Sequence, residues 1–297
     1  MKLNTKINLS VFDYVSFNCC AFCGSKNVHK VDCIEIEPEI NYFFCNDCKV
    51  SYADKQLSVK STKELYLNYF DNHQLKTGID SSLLGEHLYT FFKDKNFNNK
   101  SLKILDFGGG DGSIGKYLSD ILKIRKDISA CAIDVFDVYE CEKKLEGVTY
   151  LTNENEIELN KYDIIIASAV LEHLNDPLSK LHLLFNSLKI NGYFYARTPY
   201  RLPLRFLIRK ISGKKIGMQF PWHLFDLGRP FWNNLPNLIY SKFGLKIKIE
   251  LSQPSIVQSP FKENKMKFIF AKLLKMPGYV FKKWNYVGGW EVFIKKV

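Results

Sequence analysis

Two clusters of residues in this 297-residue chain have the types and spacing to do chemistry. The first is Lys103-Ile104-Leu105-Asp106-Phe107-Gly108-Gly109-Gly110-Asp111-Gly112-Ser113-Ile114-Gly115. An apolar run leads to an acid, then to glycine at every second position, and the loop opens directly into a helical segment, Lys116 to Leu122. A backbone that must pass close under a bound cofactor takes this form, because a Cβ there would collide with it. The second cluster is Cys20-Ala21-Phe22-Cys23 with Cys45-Asn46-Asp47-Cys48, two C-x-x-C pairs separated by 21 residues. Each pair makes a tight turn, with Gly24 after the first, and two facing turns present Cys20, Cys23, Cys45 and Cys48 to one tetrahedral zinc ion. Four thiolates leave no open position, so this zinc is expected to be structural, with a folding contribution of about 10–16 kcal/mol. Cys19 is an alternative to Cys20 with spacing one residue too long, and Cys33 lies in a strand pattern and is expected to be packed.

The elements that must position these residues follow from composition and periodicity. With 46% hydrophobic and 25% charged residues, the chain can bury a full α/β core and a small accessory domain. The longest uncharged apolar run, Ile164 to Leu171, is too short to span a bilayer. The first residues lack the apolar centre of a signal peptide, so a cytoplasmic protein is expected, and disulfides fit that compartment poorly. Residues 1–60 read as a zinc-ribbon domain. Residues 61–100 read as a helical bridge with helices at 63–70 and 82–92. From Leu102 strands and helices alternate, as in a mainly parallel sheet covered on both faces. The expected strands are 103–107, 130–133, 148–151, 163–168, 193–197, 245–251 and 291–295.

Charge is uneven. Residues 200–297 carry 19 Lys/Arg against 4 Asp/Glu, a net of +15, so the remaining residues are net −4 and the overall +11 arises in the last third. An anionic partner for that third is one reading, and a basic solvated face is the other. Met266, Ile269, Phe270, Leu273 and Leu274 fall on one helical face, with Lys265, Lys272 and Lys275 on another and Pro277 expected to end the helix. Such a helix suits peripheral contact with an anionic membrane at its inner face, or it packs its apolar side on the sheet.

Gly110-Asp111-Gly112-Ser113-Ile114-Gly115 matches the dinucleotide fingerprint literally. In that fold, however, the first glycine ends the strand, and here it lies four residues past Asp106. The acid-x-Gly-x-Gly-x-Gly series Asp106, Gly108, Gly110 and Gly112 instead resembles the first motif of class I S-adenosylmethionine-dependent methyltransferases. The segments Tyr162 to Pro177 and Leu188 to Pro199 resemble that family's fourth strand with its loop and its fifth strand.

The resemblance spans roughly residues 100–250. It implies a Rossmann-like, seven-stranded, mostly parallel sheet over 101–297, with a substrate-side insertion near 198–225. It implies S-adenosylmethionine as donor, held by Asp106, Gly108, Gly110, Gly112, Ser168 and the second-motif acid Asp134, which would accept the ribose hydroxyls. In similar sugar and quinone methyltransferases a Glu-His pair borders the transferred methyl, so Glu172 and His173 are the catalytic candidates, with His173 as base and Glu172 orienting it. His223 matches a recurring His-Leu position in related enzymes. The plainer readings are a polar pair capping a short helix and a packed loop histidine. Tyr200 and Arg201 are weaker candidates.

Thr198-Pro199-Tyr200 is not the motif of amino-methylating nucleic-acid enzymes, which follows the fourth strand. The ribbon, bridge and transferase order is similar to enzymes of nucleotide-linked sugar and surface-polysaccharide pathways. The expected substrate is therefore a small anionic molecule, a nucleotide-sugar or lipid-linked glycan. Its diphosphate would be held by Arg205, Arg209 and Lys210. RNA or protein methylation, using the ribbon and the basic third for binding, is the alternative.

Overall fold

The computed structural model describes residues 8–69, 80–97, 100–126, 128–138, 141, 144–256, 265–281 and 283–297. The N-terminal part holds β1 (Tyr14–Ser16), β2 (Val28–Ile36), β3 (Glu39–Cys45), β4 (Ser51–Ala53) and β5 (Lys55–Leu57), followed by α1 (Val59–Tyr69) and α2 (Ser81–Phe92). Then come β6 (Ser101–Phe107), α3 (Ser113–Arg125), β7 (Ala130–Phe136), β8 (Thr149–Leu151), β9 (Tyr162–Ser168), α4 (Pro177–Ser187) and β10 (Leu188–Tyr200). The last third contains α5 (Leu202–Ser212), β11 (Phe225–Asp226), α6 (Arg229–Phe243), β12 (Ile247–Pro254), α7 (Lys265–Val280) and β13 (Gly288–Lys296).

Seven strands form one sheet in the order β12-β13-β10-β9-β6-β7-β8. The strands β10, β9, β6, β7 and β8 run parallel, and β13 is antiparallel to both of its neighbours. Ile164, Ile165 and Ile166 are fully buried, the continuous apolar run expected of a strand covered on both faces. Apolar side chains of α2 and α3 cover one face, where Leu84, Leu88 and Phe92 pack with Ile104, Leu118 and Phe293. The aspartate Asp80 starts α2 by accepting the N–H groups of Ser82 and Leu83 at 3.0 and 3.2 Å. The expected bridge helix 82–92 is thus part of the sheet's own cover. The other face packs against α4 and α6 through Leu181, Phe185, Phe231 and Trp232.

The ribbon does not stand apart. The strands β2, β3 and β4 are joined by β11, from the insertion after β10, into one four-stranded sheet. Cys20, Phe22, Cys45 and Cys48 share a core with Leu105 and Leu227, and Phe22 meets Phe225 and Phe231 edge-on. The thiols of Cys20, Cys23, Cys45 and Cys48 lie within 4.8 Å of one another. Cys20 and Cys48 are 3.6 Å apart and Cys23 and Cys45 3.7 Å apart. Tetrahedral zinc–thiolate bonds of about 2.3 Å require sulfur separations of roughly 3.8 Å. The four thiols are therefore gathered as a zinc site needs. Cys19 gives only its carbonyl, to Tyr52 Oη at 3.2 Å, and Cys33 lies in β2 with its thiol on Glu35 O at 3.1 Å.

Three expectations for the basic third are corrected. Arg205, 2% exposed, donates to Asp32 Oδ2 of the ribbon at 2.5 Å and also to the carbonyls of Ile216 and Cys33. Arg209 reaches Asp32 Oδ1 at 3.0 Å. Both arginines dock the insertion on the ribbon; buried Arg205 is not available to a diphosphate, whereas Arg209 stays 42% exposed beyond its bond to Asp32. Burial alone would raise the Asp32 carboxyl, and the bond and charge of Arg205 outweigh it, holding the carboxyl below the ordinary range. Helix α7 continues past Pro277 to Val280. Proline removes one N–H, but the next turn still closes with Phe281 N on Pro277 O at 2.7 Å. Lys275 is buried rather than on a basic outer face, its Nζ at 2.5 and 2.9 Å from Ser255 O and Oγ, while the apolar row of α7 faces out. Among the described residues no helix is long and apolar enough to cross a membrane.

Replacing Cys48 or Cys23 by serine should remove one equivalent of bound zinc from the purified protein and lower its melting temperature. Metal content by atomic spectroscopy checks this, and unchanged zinc in both variants would contradict the four-thiolate site.

Candidate active site

The glycine loop links β6 to α3 over a buried carboxylate. Asp106 is 1% exposed and its Oδ2 accepts Gly115 N–H at 3.0 Å. Burial pushes its carboxyl up to about 7, against the lowering effect of that N–H. A Cβ on Gly109 would lie 2.5 Å from Asp106 Cγ, so the loop is pressed onto this side chain. Gly108, Gly110 and Gly112 all have positive φ. At Gly112 a Cβ would also lie 2.6 Å from Val135 Cγ2. Asp106 thus supports the loop from beneath and is not among the residues lining the cleft in front of it.

In front of the loop lies a mainly apolar cleft of about 500 Å³, whose lining includes Phe107, Gly108, Phe136, Asp137, Val170 and His173. Asp134, the expected ribose acid, does not line it. It is paired with Leu105 inside the sheet, held by Lys103 Nζ and Tyr162 Oη, each at 2.8 Å. The acid beyond the strand's end is Asp137, whose Oδ2 accepts Gly110 N–H at 3.0 Å. The reason is strand length: β7 runs three residues past the expected end at Ile133. Ser168 is likewise outside the lining, accepting Arg197 Nε at 3.2 Å. Gln56, Leu57, Thr62 and Leu65, from the chain before the transferase sheet, form another wall of the cleft.

Beyond β9 the chain makes a 3-10 turn over Leu171–His173, preceded by Ala169 at φ +60. Ala169 borders the cleft and also a second, polar chamber of about 340 Å³. This chamber is lined by Glu172, Arg197, Gln219, His223 and Lys275 among others. One ligand atom each from Glu172, His173 and His223 lie within 4.8 Å of one another, so the three catalytic candidates do come together. His173 Nδ1 is 2.6 Å from Trp222 O. A carbonyl only accepts, so Nδ1 carries a proton, and in the neutral ring Nε2 carries the lone pair. Trp222 rather than Glu172 therefore orients this ring, a correction of the expected pairing. The imidazoles of His173 and His223 meet edge-on at 4.7 Å.

Glu172 is 1% exposed and its Oε2 has no hydrogen-bond partner; neither does His223 Nδ1. Burial raises the Glu172 carboxyl, with His173 and Arg197 opposing it. Burial, with the charges of His173 and Arg201, drives His223 well below the ordinary histidine range. Lys275 is pushed down to about 8 by burial. Tyr200 packs against Trp290, and the backbone N–H of Arg201 bonds Asp226 Oδ1 at 2.7 Å, so neither side chain is among those lining the two cavities. Asp137 had a signal in the sequence, since Val135-Phe136 continues the apolar strand. The contributions of Gln56, Leu65 and Lys275 had none, because they depend on long-range packing.

A family model described as a methyltransferase domain matches residues 72–230, more than half of the chain. No curated protein matches it. Among solved structures, the plantazolicin methyltransferase BpumL in complex with SAH is 16% identical, the alignment covering 80% of this chain and 91% of that one with a TM-score of 0.44. An S-adenosylmethionine-dependent methyltransferase from Mesorhizobium loti is 14% identical, covering 67% and 94%, with a TM-score of 0.43. With a glycine loop between β6 and α3, a parallel sheet extended by an antiparallel β13, and a family match over more than half its length, the chain belongs to the methyltransferase-domain family and is an S-adenosylmethionine-dependent class I enzyme.

Proposed function

We propose that the protein methylates a small-molecule acceptor seated in the polar chamber, with the donor in the apolar cleft. The observation that carries this is that the two cavities meet at Ala169, which lines both, with His173 on the cleft side and Glu172 and His223 on the chamber side. The cleft fits the donor: its volume of about 500 Å³ lies in the range of small-molecule sites, and Gly108 keeps its floor free of side chain. Gly108, Phe136, Asp137, Val138 and Val170 would hold the donor, with Asp137 in the ribose-binding role. When bound, the donor supplies an electrophilic methyl on a sulfonium. The chain's own residues align the acceptor with that methyl and exclude water. His173 presents the Nε2 lone pair at this junction, where it can take an acceptor proton.

The chamber's volume of about 340 Å³ suits one sugar-sized group. Helix α7 supports a lipid-linked form of it. Ala271 and Lys275 of this helix line the chamber, while Met266, Phe270, Leu273 and Phe281 are 60–78% exposed on its outer side. Lys265, Lys272 and Lys283 are exposed around them. An apolar row flanked by lysines matches an anionic bilayer surface, the apolar side chains entering the headgroup boundary.

Incubation with labelled S-adenosylmethionine and pools of nucleotide-sugars, lipid-linked glycans and RNA should label a glycan fraction. His173→Ala should lower turnover about 100-fold, within the range of lost acid–base catalysis, with donor affinity nearly unchanged. Labelling of RNA alone, with steeply salt-dependent binding, would replace this reading with the nucleic-acid one. Separately, the protein should co-sediment with phosphatidylglycerol vesicles, and Phe270→Glu with Leu273→Glu should abolish that. Failure to bind anionic vesicles would remove the membrane surface from the account.

A further inference from the structure

Two buried polar atoms on the chamber side lack partners, Glu172 Oε2 and His223 Nδ1. Buried polar groups are nearly always satisfied, and an orphan is a sign of an unplaced water or ion. Here two orphans occur in one cluster, and the third member, His173, has its Nε2 lone pair left over after Nδ1 is committed to Trp222 O at 2.6 Å. A histidine that donates one ring N–H to a backbone carbonyl while offering the other nitrogen is the arrangement by which proteins fix metal-ligating imidazoles. Two of the three residues follow one another in the turn after β9. The third comes from the insertion, held beside them by Leu224 N–H on Glu172 O at 2.9 Å.

We propose that Glu172, His173 and His223 bind a divalent transition-metal ion of the zinc, manganese or iron(II) class, separate from the four-thiolate site. One carboxylate and two imidazoles form a donor set that suits these ions rather than magnesium or calcium. The ligand atoms lie within 4.8 Å of one another, and bonds of about 2.0–2.2 Å would draw them to roughly 3–4 Å. Three protein ligands leave positions open, as in a site that handles substrate rather than one that only stabilises fold. The two cations of the chamber are tied elsewhere: Arg197 Nε to Ser168 Oγ at 3.2 Å, and Lys275 Nζ to Ser255 and Ile256. Asp226, 3% exposed, adds a nearby carboxyl, bonded to the N–H groups of Arg201 and Leu202.

The inference rests on the proposed placement of donor and acceptor and replaces one part of that reading, the role of His173 as base. An ion here would bind an acceptor hydroxyl oxygen at an open position and lower its pKa, the proton passing to solvent. The acceptor is then a hydroxyl compound, and the His173 lone pair holds the ion instead of a proton.

Manganese(II) titration followed by electron paramagnetic resonance, on protein carrying its full zinc complement at the four thiols, reads the site without catalysis. The wild type should bind one equivalent. Glu172→Gln and His223→Ala should each weaken binding by at least 10- to 100-fold, about 1.4–2.7 kcal/mol, with thiolate zinc retained. A wild-type protein that takes up no manganese overturns the inference, as does equal binding by both variants. Metal binding without methylation of any hydroxyl acceptor would sink the functional reading and leave the site standing. Methylation without metal binding would do the reverse.

Discussion

Leu224 makes the two backbone hydrogen bonds on which the arrangement of the site depends. Its N–H bonds Glu172 O at 2.9 Å and its carbonyl accepts Ala53 N–H at 2.9 Å. The first ties the insertion to the turn after β9, and the second ties it to the ribbon. Each is modest alone, about 0.5–1.5 kcal/mol net, but Leu224 is 6% exposed and neither group has water to fall back on. The next residues, Phe225 and Asp226, extend the contact by pairing with Tyr52 and Ser51. His223 is therefore delivered to Glu172 and His173 by the residue next to it in the chain.

This makes the ribbon a structural partner of the active site rather than an appended module. The thiolate cluster sits under Phe22, which packs on Phe225 and Phe231. The Asp32–Arg205 pair closes the other side of the same insertion. Breaking a buried pair of this kind by removing one partner costs about 3–5 kcal/mol. Positive charge expected to hold substrate is thus partly spent inside the protein. Part of what remains outside, Lys265, Lys272 and Lys283, lies in or next to α7 beside exposed apolar side chains.

Much of the sheet was legible because its signal is local. The runs Lys103–Phe107 and Asp163–Ser168 carry strand-length segments with apolar centres at Ile104-Leu105 and Ile164–Ala167, and the glycines at 108, 110 and 112 read as a turn under a ligand. The errors arose where a local pattern met a longer-range competitor. Asp134 looked like a strand-end acid until two more apolar residues lengthened β7 and passed that place to Asp137. Arg205 and Arg209 looked like anion ligands because the sequence cannot show that Asp32, far away in the chain, lies opposite them. Lys275 looked exposed on a helical wheel, whereas Ser255 and Ile256 supply three acceptors that draw it inward. The grouping of Glu172 and His173 with His223 was suggested by resemblance alone, and their meeting appears only once β11 pairs with β4.

The central claim is that the donor binds in the cleft under the glycine loop, with Asp137 rather than Asp134 as its carboxylate. Calorimetric titration with S-adenosylhomocysteine tests this directly, comparing the wild type with Asp137→Asn and Asp134→Asn. The account predicts binding by the wild type and a loss of about tenfold or more, roughly 1.4 kcal/mol, in Asp137→Asn. Folded Asp134→Asn should bind nearly as the wild type does, with lower thermal stability. Unchanged affinity in Asp137→Asn, or a selective loss in Asp134→Asn, would contradict it.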